Sequence, residues 1–329
     1  MRTNLRMLRE TTGLTQTALA VRAGVSRQLV GAVEAGRHLP RVDAALALAA
    51  ALAVNVDDLF VADTRAVDIV SGTPPRDGTL VRAALVGERI VTAAARIGPD
   101  GWDVADGVVE AGEFSPFDRT RQGPVLAGCE PGLELVERLL REGGIGAVTV
   151  GASSASARAA LAAGRVHGAV VHGAGVLPAH EDAVCVHIAR WRVGLAAGKD
   201  ATPGWSGDAL AGRLAVVQRE EGAGVQHAFE NALEVAGPVA GPRVGSHLEA
   251  ARRAVLTGLP AVTIEPAALA VGATFHPLEV HQAQLLIAID WIEEASVAAA
   301  LDVLASRRFQ DRLAAIGGYD LDGCGTRAA

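Results

Sequence analysis

The chain has 329 residues, half of them apolar and 20% charged, with a formal net charge of −7. At roughly 100–200 residues per domain that length suggests two domains with room for a small extra module, and the apolar content excludes global disorder. An acidic chain is at first sight a poor partner for nucleic acid, but this charge is unevenly spread. Residues 1–42 carry Arg2, Arg6, Arg9, Arg22, Arg27, Arg37 and Arg41 against Glu10 and Glu34, a balance of +5 that leaves −12 for the remainder. A basic head precedes an acidic body, and Lys199 is the single lysine.

Cys129, Cys185 and Cys324 lie far apart without paired spacing, which argues against a disulfide framework or a zinc ribbon and for free thiols. The start, MRTNLRMLRETTG, has no apolar core of a secretory signal. The longest apolar run, Ala44 to Val54, is about half of the roughly 20 residues a membrane helix needs. A soluble, cytoplasmic protein is expected.

Residues 1–63 read as a run of short helices, with apolar residues three and four apart and breaks at Gly13, Gly24, Gly36 and Pro40. No strand-like alternation is visible there. With Gly24 as a turn, Leu19, Ala23, Val25, Val30 and Val33 fall inward, Ala20 is the small residue where two helices touch, and Thr15 and Ser26 are N-caps. Ser26, Arg27 and Gln28 then face outward at the start of the second helix, where a helix tip enters the major groove with Arg suited to guanine and Gln to adenine. With the local charge this points to DNA binding through Ser26, Arg27 and Gln28, with Thr17 and Arg37 as further candidates; the alternative is an αα-hairpin with a polar face.

Residues 64–119 read as a linker, opened by the Gly/Pro-rich SGTPPRDGT and carrying a small β-hairpin, LVRAALV and RIVTAAA around Gly87-Glu88. From 120 to 329, continuous apolar runs (PVLAG, AVTV, VHGAVVH, AVCVHIARWRVGL, LAVVQ, AVTI, QLLIAI) alternate with helical stretches, which predicts a largely parallel sheet in two α/β lobes. The fold class expected is therefore α+β multidomain: an all-α head and a two-lobed α/β body. Ligands of such sheets sit at strand ends beside helix N-termini. Those points hold Cys129, Glu130, Ser153, Ser154, His172, Arg219, Gly224, Gln226, Ser246 and His247. Each also has a bland reading, as helix cap, buried hydrophobe or core histidine.

The segment LTQTALAVRAGVSRQLVGAVEAGRHLPRVDAALALAAALAVNVDDLF resembles the phage-repressor-like helix-turn-helix domain of the xenobiotic-response-element (XRE) family. The resemblance implies a five-helix domain that binds a palindromic operator in double-stranded DNA as a homodimer, with Gln16, Arg27 and Gln28 as contacts. Gly31 and Ala32 occupy outward positions of the recognition helix and cannot read a base by hydrogen bonding. Further on, GCEP, GASSASARAALAAGRVHGAVVHG, QREEGAGVQHAFENAL, SHLEAARRAVLTGLPAVTIEPAALA, FHPLE and GGYDLDGCG are similar in order and spacing to the periplasmic-binding-protein-like domain related to molybdate-binding proteins. It implies a substrate-binding cleft between lobe 1, about 120–182 and 265–329, and lobe 2, about 183–264. Gln226 stands where that family commonly has Arg, and His281 where it often has an aromatic residue. The ligand class thus stays open, a small polar or anionic solute of which an oxyanion is one kind. Eight aromatic residues from Phe117 to Tyr319 are too few for a sugar-stacking platform. No Walker-type loop or metal-ligand cluster is evident and no cofactor is called for. The expected function is a ligand-responsive transcriptional regulator, not an enzyme. Alternatives are an enzyme using Cys129 with a histidine, and a DNA-binding scaffold with a non-functional pocket.

Overall fold

Three glycines and a proline cut the first sixty residues into α1 (Leu5–Thr11), α2 (Gln16–Ala23), α3 (Arg27–Glu34), α4 (Val42–Leu52) and α5 (Val56–Leu59). The structure, a computed structural model, describes residues 2–61, 65–95, 97–98, 101–102, 104–117, 123–174 and 182–327. The chain divides into two units, Met1–Arg65 and Ala66–Ala329. In the first, Gly24 takes φ +66° at the turn between α2 and α3, a conformation costing a residue with a Cβ about 1–2 kcal/mol. Thr15 and Ser26 cap α2 and α3 by accepting from the Ala18 and Leu29 amides, each at 3.1 Å. Leu5, Leu19, Val30, Val33, Leu48 and Leu59 are buried together. The head is not wholly helical: β1 (Arg2–Thr3) pairs antiparallel with β2 (Phe60–Val61). Strands of two residues are too short to show a period of two.

The stretch expected as a linker is a sheet within the second unit. Its strands are β3 (Val67–Asp68), β4 (Leu80–Val86), β5 (Arg89–Ala94), the separate pair β6 (Ile97–Gly98) and β7 (Gly101–Trp102), β8 (Gly107–Glu110) and β9 (Glu113–Pro116). The β4–β5 hairpin turns at Gly87, φ +60°, inside a five-stranded order β3-β5-β4-β8-β9. The physical reason is that the hairpin is apolar on both faces. Val81, Ala83 and Ile90 pack with Val109 and Phe114. Ala84, Val86, Val91 and Ala93 cluster with Val125, Ala127 and Val148. A hairpin isolated in a linker would expose both faces to water.

The rest of the unit runs β10 (Val125–Gly128), α6 (Gly132–Glu142), β11 (Val148–Gly151), α7 (Ser154–Ala162), β12 (Gly168–Ala174), β13 (Ala183–Ala197), α8 (Trp205–Leu210), β14 (Gln218–Arg219), α9 (Gly224–Ala232), β15 (Arg243–Val244), α10 (His247–Thr257), β16 (Ala261–Ile264), α11 (Glu265–Ala270), β17 (Thr274–Ala288), α12 (Ala295–Ala305), α13 (Arg307–Ile316) and β18 (Tyr319–Asp320). The main sheet has the order β11-β10-β12-β17-β13-β16, with β18 on β13. β10 is parallel to β11 and β12, but β12–β17, β17–β13 and β13–β16 are antiparallel. The sheet is therefore mixed, not largely parallel. QLLIA is only the buried end of β17, with the following Ile289 outside it and exposed; the first half of the strand, with its polar Glu279, His281 and partly exposed positions, lacks the continuous apolar signature of a buried strand.

β13 and β17 pair along their whole length, from Ala183↔Ala288 to Ala197↔Thr274, with register shifts at His187/Ala189 and Val193/Gly194. One end of this ribbon belongs to a lobe built on β10–β12, the other to a lobe built on β14–β16. Among the described residues no helix is long and apolar enough to cross a membrane.

Arg82 on β4 joins the small sheet to the first lobe. Its Nη1 donates to both oxygens of Glu137 at 3.0 Å and its Nη2 to the Thr149 carbonyl at 2.7 Å. Burial raises the Glu137 carboxyl, but Arg82 and Thr149 outweigh it and hold the group below the usual carboxylate range. Arg82→Ala leaves that carboxylate with the half-exposed Arg141, 2.6 Å away, as its remaining cation, and should cost about 1–3 kcal/mol in urea denaturation of the second unit. The contribution is full above the ordinary carboxyl pKa and is lost as pH falls through the lower folded value; an unchanged urea midpoint at pH 7 would refute it.

Candidate functional site

The first unit presents a helix tip. Thr17, Ser26, Arg27, Gln28 and Arg37 are exposed, and the Ser26 cap leaves the first amides of α3 facing solvent beside Arg27 and Gln28. Gln16 differs: its Nε2 donates to Glu34 Oε2 at 2.8 Å, which leaves its oxygen and backbone amide for other partners. Arg9 donates to both Glu34 oxygens, at 2.6 and 3.2 Å, and to the Leu14 carbonyl at 2.7 Å. Burial pushes the Glu34 carboxyl up, but hydrogen bonds from Arg9 and Gln16 reverse that and lower it. Arg9 thus serves the packing of α1 on α3.

In the second unit the strand ends converge. Cys129 follows β10, His172 lies in β12 and His247 opens α10, and one donor atom from each lies within 4.8 Å of the others. Ser154 Oγ accepts from the His172 amide at 3.1 Å. His172 Nδ1 lies 2.9 Å from Nδ1 of His281, whose Nε2 lies 2.5 Å from Glu279 Oε1. The Glu279 carboxylate accepts, so a neutral His281 keeps its proton on Nε2 and its Nδ1 accepts from His172; the lone pair of His172 is then on Nε2. Burial first, then the neighbouring His281 and Arg219, push His172 down to about 3. His247 is pushed well below its ordinary value, again by burial first and then by Arg219. Both rings are neutral at pH 7.

Arg219 is fully buried and heavily engaged. It donates to both Glu220 oxygens at 3.0 Å, to the carbonyls of Val244 and Gly245, and from Nη1 to His247 Nδ1 at 2.7 Å. A guanidinium only donates, so neutral His247 carries its proton on Nε2, a buried atom without a partner among the described residues. Glu130 Oε2 and Trp191 Nε1 are likewise buried without partners among the described residues. Glu130 Oε1 accepts from the Gly132 amide and the Tyr319 hydroxyl, each at 2.7 Å. Burial pushes this carboxyl up to about 7 despite those two bonds. A cavity of about 90 Å³ is lined by Cys129, Glu130 and Thr149 from one lobe and by Gly245, Ser246 and His247 from the other.

A helix-turn-helix domain family matches residues 1–60. An uncharacterized HTH-type transcriptional regulator from Methanothermobacter thermautotrophicus is 44% identical over 64 residues, 19% of this chain and 93% of the relative. The chain belongs to the helix-turn-helix transcriptional regulators. The regulator also aligns with a restriction-modification controller protein from Aeromonas hydrophila, at 40% identity, 17% of this chain, 86% of that one and a TM-score of 0.17. An ABC-type phosphate transport receptor from Vibrio cholerae aligns at 12% identity over 60% of the regulator and 99% of the receptor, with a TM-score of 0.41.

Of the expected ligand-site residues, the regulator brings together Cys129, Glu130, His172, Arg219, Ser246 and His247. Gly224 belongs with them, since a Cβ there would lie 3.3 Å from His172 Cε1 and 3.4 Å from His281 Cε1. Ser153 caps α7, accepting from the Ser156 amide, and Ser246 caps α10. Gln226 is spent inside the second lobe, accepting from the Arg219 amide and donating to Gln218 and Glu230. Glu279, Trp191 and Tyr319 were not singled out, and His281 only as a departure; the same-face spacing of Glu279 and His281 within a strand was the available signal. For a Cys–His nucleophile the geometry is unfavourable. No hydrogen bond joins Cys129 to an imidazole among the described residues, and burial pushes its thiol up to about 12. Iodoacetamide at pH 8 should alkylate native Cys129 far more slowly than free cysteine, as followed by peptide mass spectrometry; a rate above that of free cysteine would restore the nucleophile reading.

Proposed function

We propose that this regulator measures a small solute in the cleft of its second unit and adjusts its hold on DNA accordingly. The observation that carries the reading is the convergence of buried polar atoms without partners, His247 Nε2 and Glu130 Oε2, on a cavity walled by both lobes. Each such atom costs roughly 1–3 kcal/mol when left unpaired, and a ligand that satisfies them recovers that cost only with the lobes closed. It therefore favours one cleft state by its differential affinity for it. The DNA side rests on Ser26, Arg27 and Gln28 at the tip of α3, with Thr17 and Arg37 on phosphates, and on a homodimer reading a palindromic operator in the cytoplasm. Catalysis is no part of this reading.

Two measurements test it. Arg27→Ala with Gln28→Ala should abolish gel shifts on the operator and leave the thermal transition of the second unit unchanged; intact gel shifts would remove α3 as the reading helix. A thermal-shift screen of oxyanions, amino acids, nucleobases and small carboxylates should find a stabilising solute. At 100 times its Kd the added stability is about 2.7 kcal/mol, and a flat response to every class, inorganic cations included, would favour a scaffold with a silent pocket.

A further inference from the structure

We infer that Cys129, His172 and His247 form a binding site for a transition-metal ion of the Zn²⁺, Co²⁺ or Cu⁺ class, and that this ion is the solute the cleft measures. The second half rests on the regulator reading above; the first stands without it.

The donor atoms already lie within 4.8 Å of one another. A tetrahedral ion with bonds of about 2.0 Å to nitrogen and 2.3 Å to sulfur holds its ligands about 3.5 Å apart, so filling the site draws these groups together by at most about 1.3 Å. Cys129 and His172 stand on the first lobe and His247 on the second, so that movement is a closing of the cleft. One thiolate and two imidazoles select borderline-soft ions and reject Mg²⁺ and Ca²⁺, which need oxygen. Three protein ligands leave a fourth position for water.

The surroundings are those of a metal ligand set. His172 is held through Nδ1 by His281, and His281 by Glu279, the outer support that orients a ligating ring and leaves Nε2 with its lone pair. His247 Nε2 is buried and meets no acceptor among the described residues. Arg219, the cation beside His247, is already paired with Glu220, which disfavours an anion here. On binding, the Cys129 thiol releases its proton to solvent, while neutral His247 moves its proton from Nε2 to Nδ1, so that Nε2 presents its lone pair to the metal. Arg219 Nη1, which donates to that Nδ1 at 2.7 Å, gives up this bond and keeps those of the guanidinium to Glu220 and the Gly245 carbonyl.

Equilibrium dialysis of the full chain against Zn²⁺ should give one ion per chain, and Co²⁺ should give the near-ultraviolet band of thiolate-to-cobalt charge transfer. Cys129→Ser should abolish the band and weaken Zn²⁺ binding by at least about tenfold; Glu279→Gln should keep the band but lower affinity by about 10–100-fold. Ser153→Ala, which touches only a helix cap, should change neither, and circular dichroism confirms that each variant is folded. No bound Zn²⁺, or a cobalt band that survives Cys129→Ser, overturns the site. Operator gel shifts with Zn²⁺ and with EDTA separate the two halves. Zn²⁺ bound without effect on DNA affinity keeps the site and removes its sensory role; no Zn²⁺ bound while another solute changes DNA affinity removes the site and keeps the regulator reading.

Discussion

The ladder between β13 and β17 sets the positions of Trp191, Glu279 and His281 at the cleft. Trp191 faces His281 across it, and His172 lies one strand further on, opposite Ala283. In a strand the side-chain period is two, so a slip of one residue would turn Glu279 and His281 away from His172 together. The shifts at His187/Ala189 and Val193/Gly194 absorb extra residues without moving the Trp191–His281 pair between them. The same two strands are shared by both lobes, which lets the lobes move against each other while the histidine chain keeps its geometry.

Arginine does two different jobs in this chain. Arg9, Arg82 and Arg219 are buried, and each binds a carboxylate and at least one backbone carbonyl, work that suits a flat guanidinium with five donors. Arg22, Arg27, Arg37 and Arg41 are exposed. The excess of +5 over residues 1–42 already sets Arg9 against Glu34, so the charge that DNA can feel comes from the other arginines. What remains is still positive and still gathered on the helix-turn-helix.

Much of this was legible beforehand where the signal is local. The Gly24 turn and the Thr15 and Ser26 caps are short-range choices written in a few residues. The strand AVTI was bounded correctly for the same reason, as Ala261–Ile264. What was not legible depends on distance in sequence. Nothing near Glu279 announces that it supports His172, more than a hundred residues earlier, through His281. Nothing near Arg82 announces Glu137. The Gly/Pro-rich SGTPPRDGT has the composition of a linker, yet it is a loop between β3 and β4 in a sheet. Composition reports where a chain turns, not whether the strands on either side find partners. Gln226 was read as a cleft residue from its place in a glycine loop, but its amide faces the interior and holds Gln218, Arg219 and Glu230.

The Arg82–Glu137 pair has a consequence for dissecting the protein. A fragment begun at residue 120 would look like a complete two-lobed module by sequence. It would nonetheless lose the buried Arg82 partner of Glu137 and keep only the half-exposed Arg141, and would strip Ala84, Val86, Val91 and Ala93 from the cluster they form with Val125, Ala127 and Val148. Such a piece would be sticky and short-lived. The smallest self-sufficient fragment with the cleft begins near Ala66, which makes the small sheet part of the sensor's own body and leaves the helix-turn-helix as the separable piece.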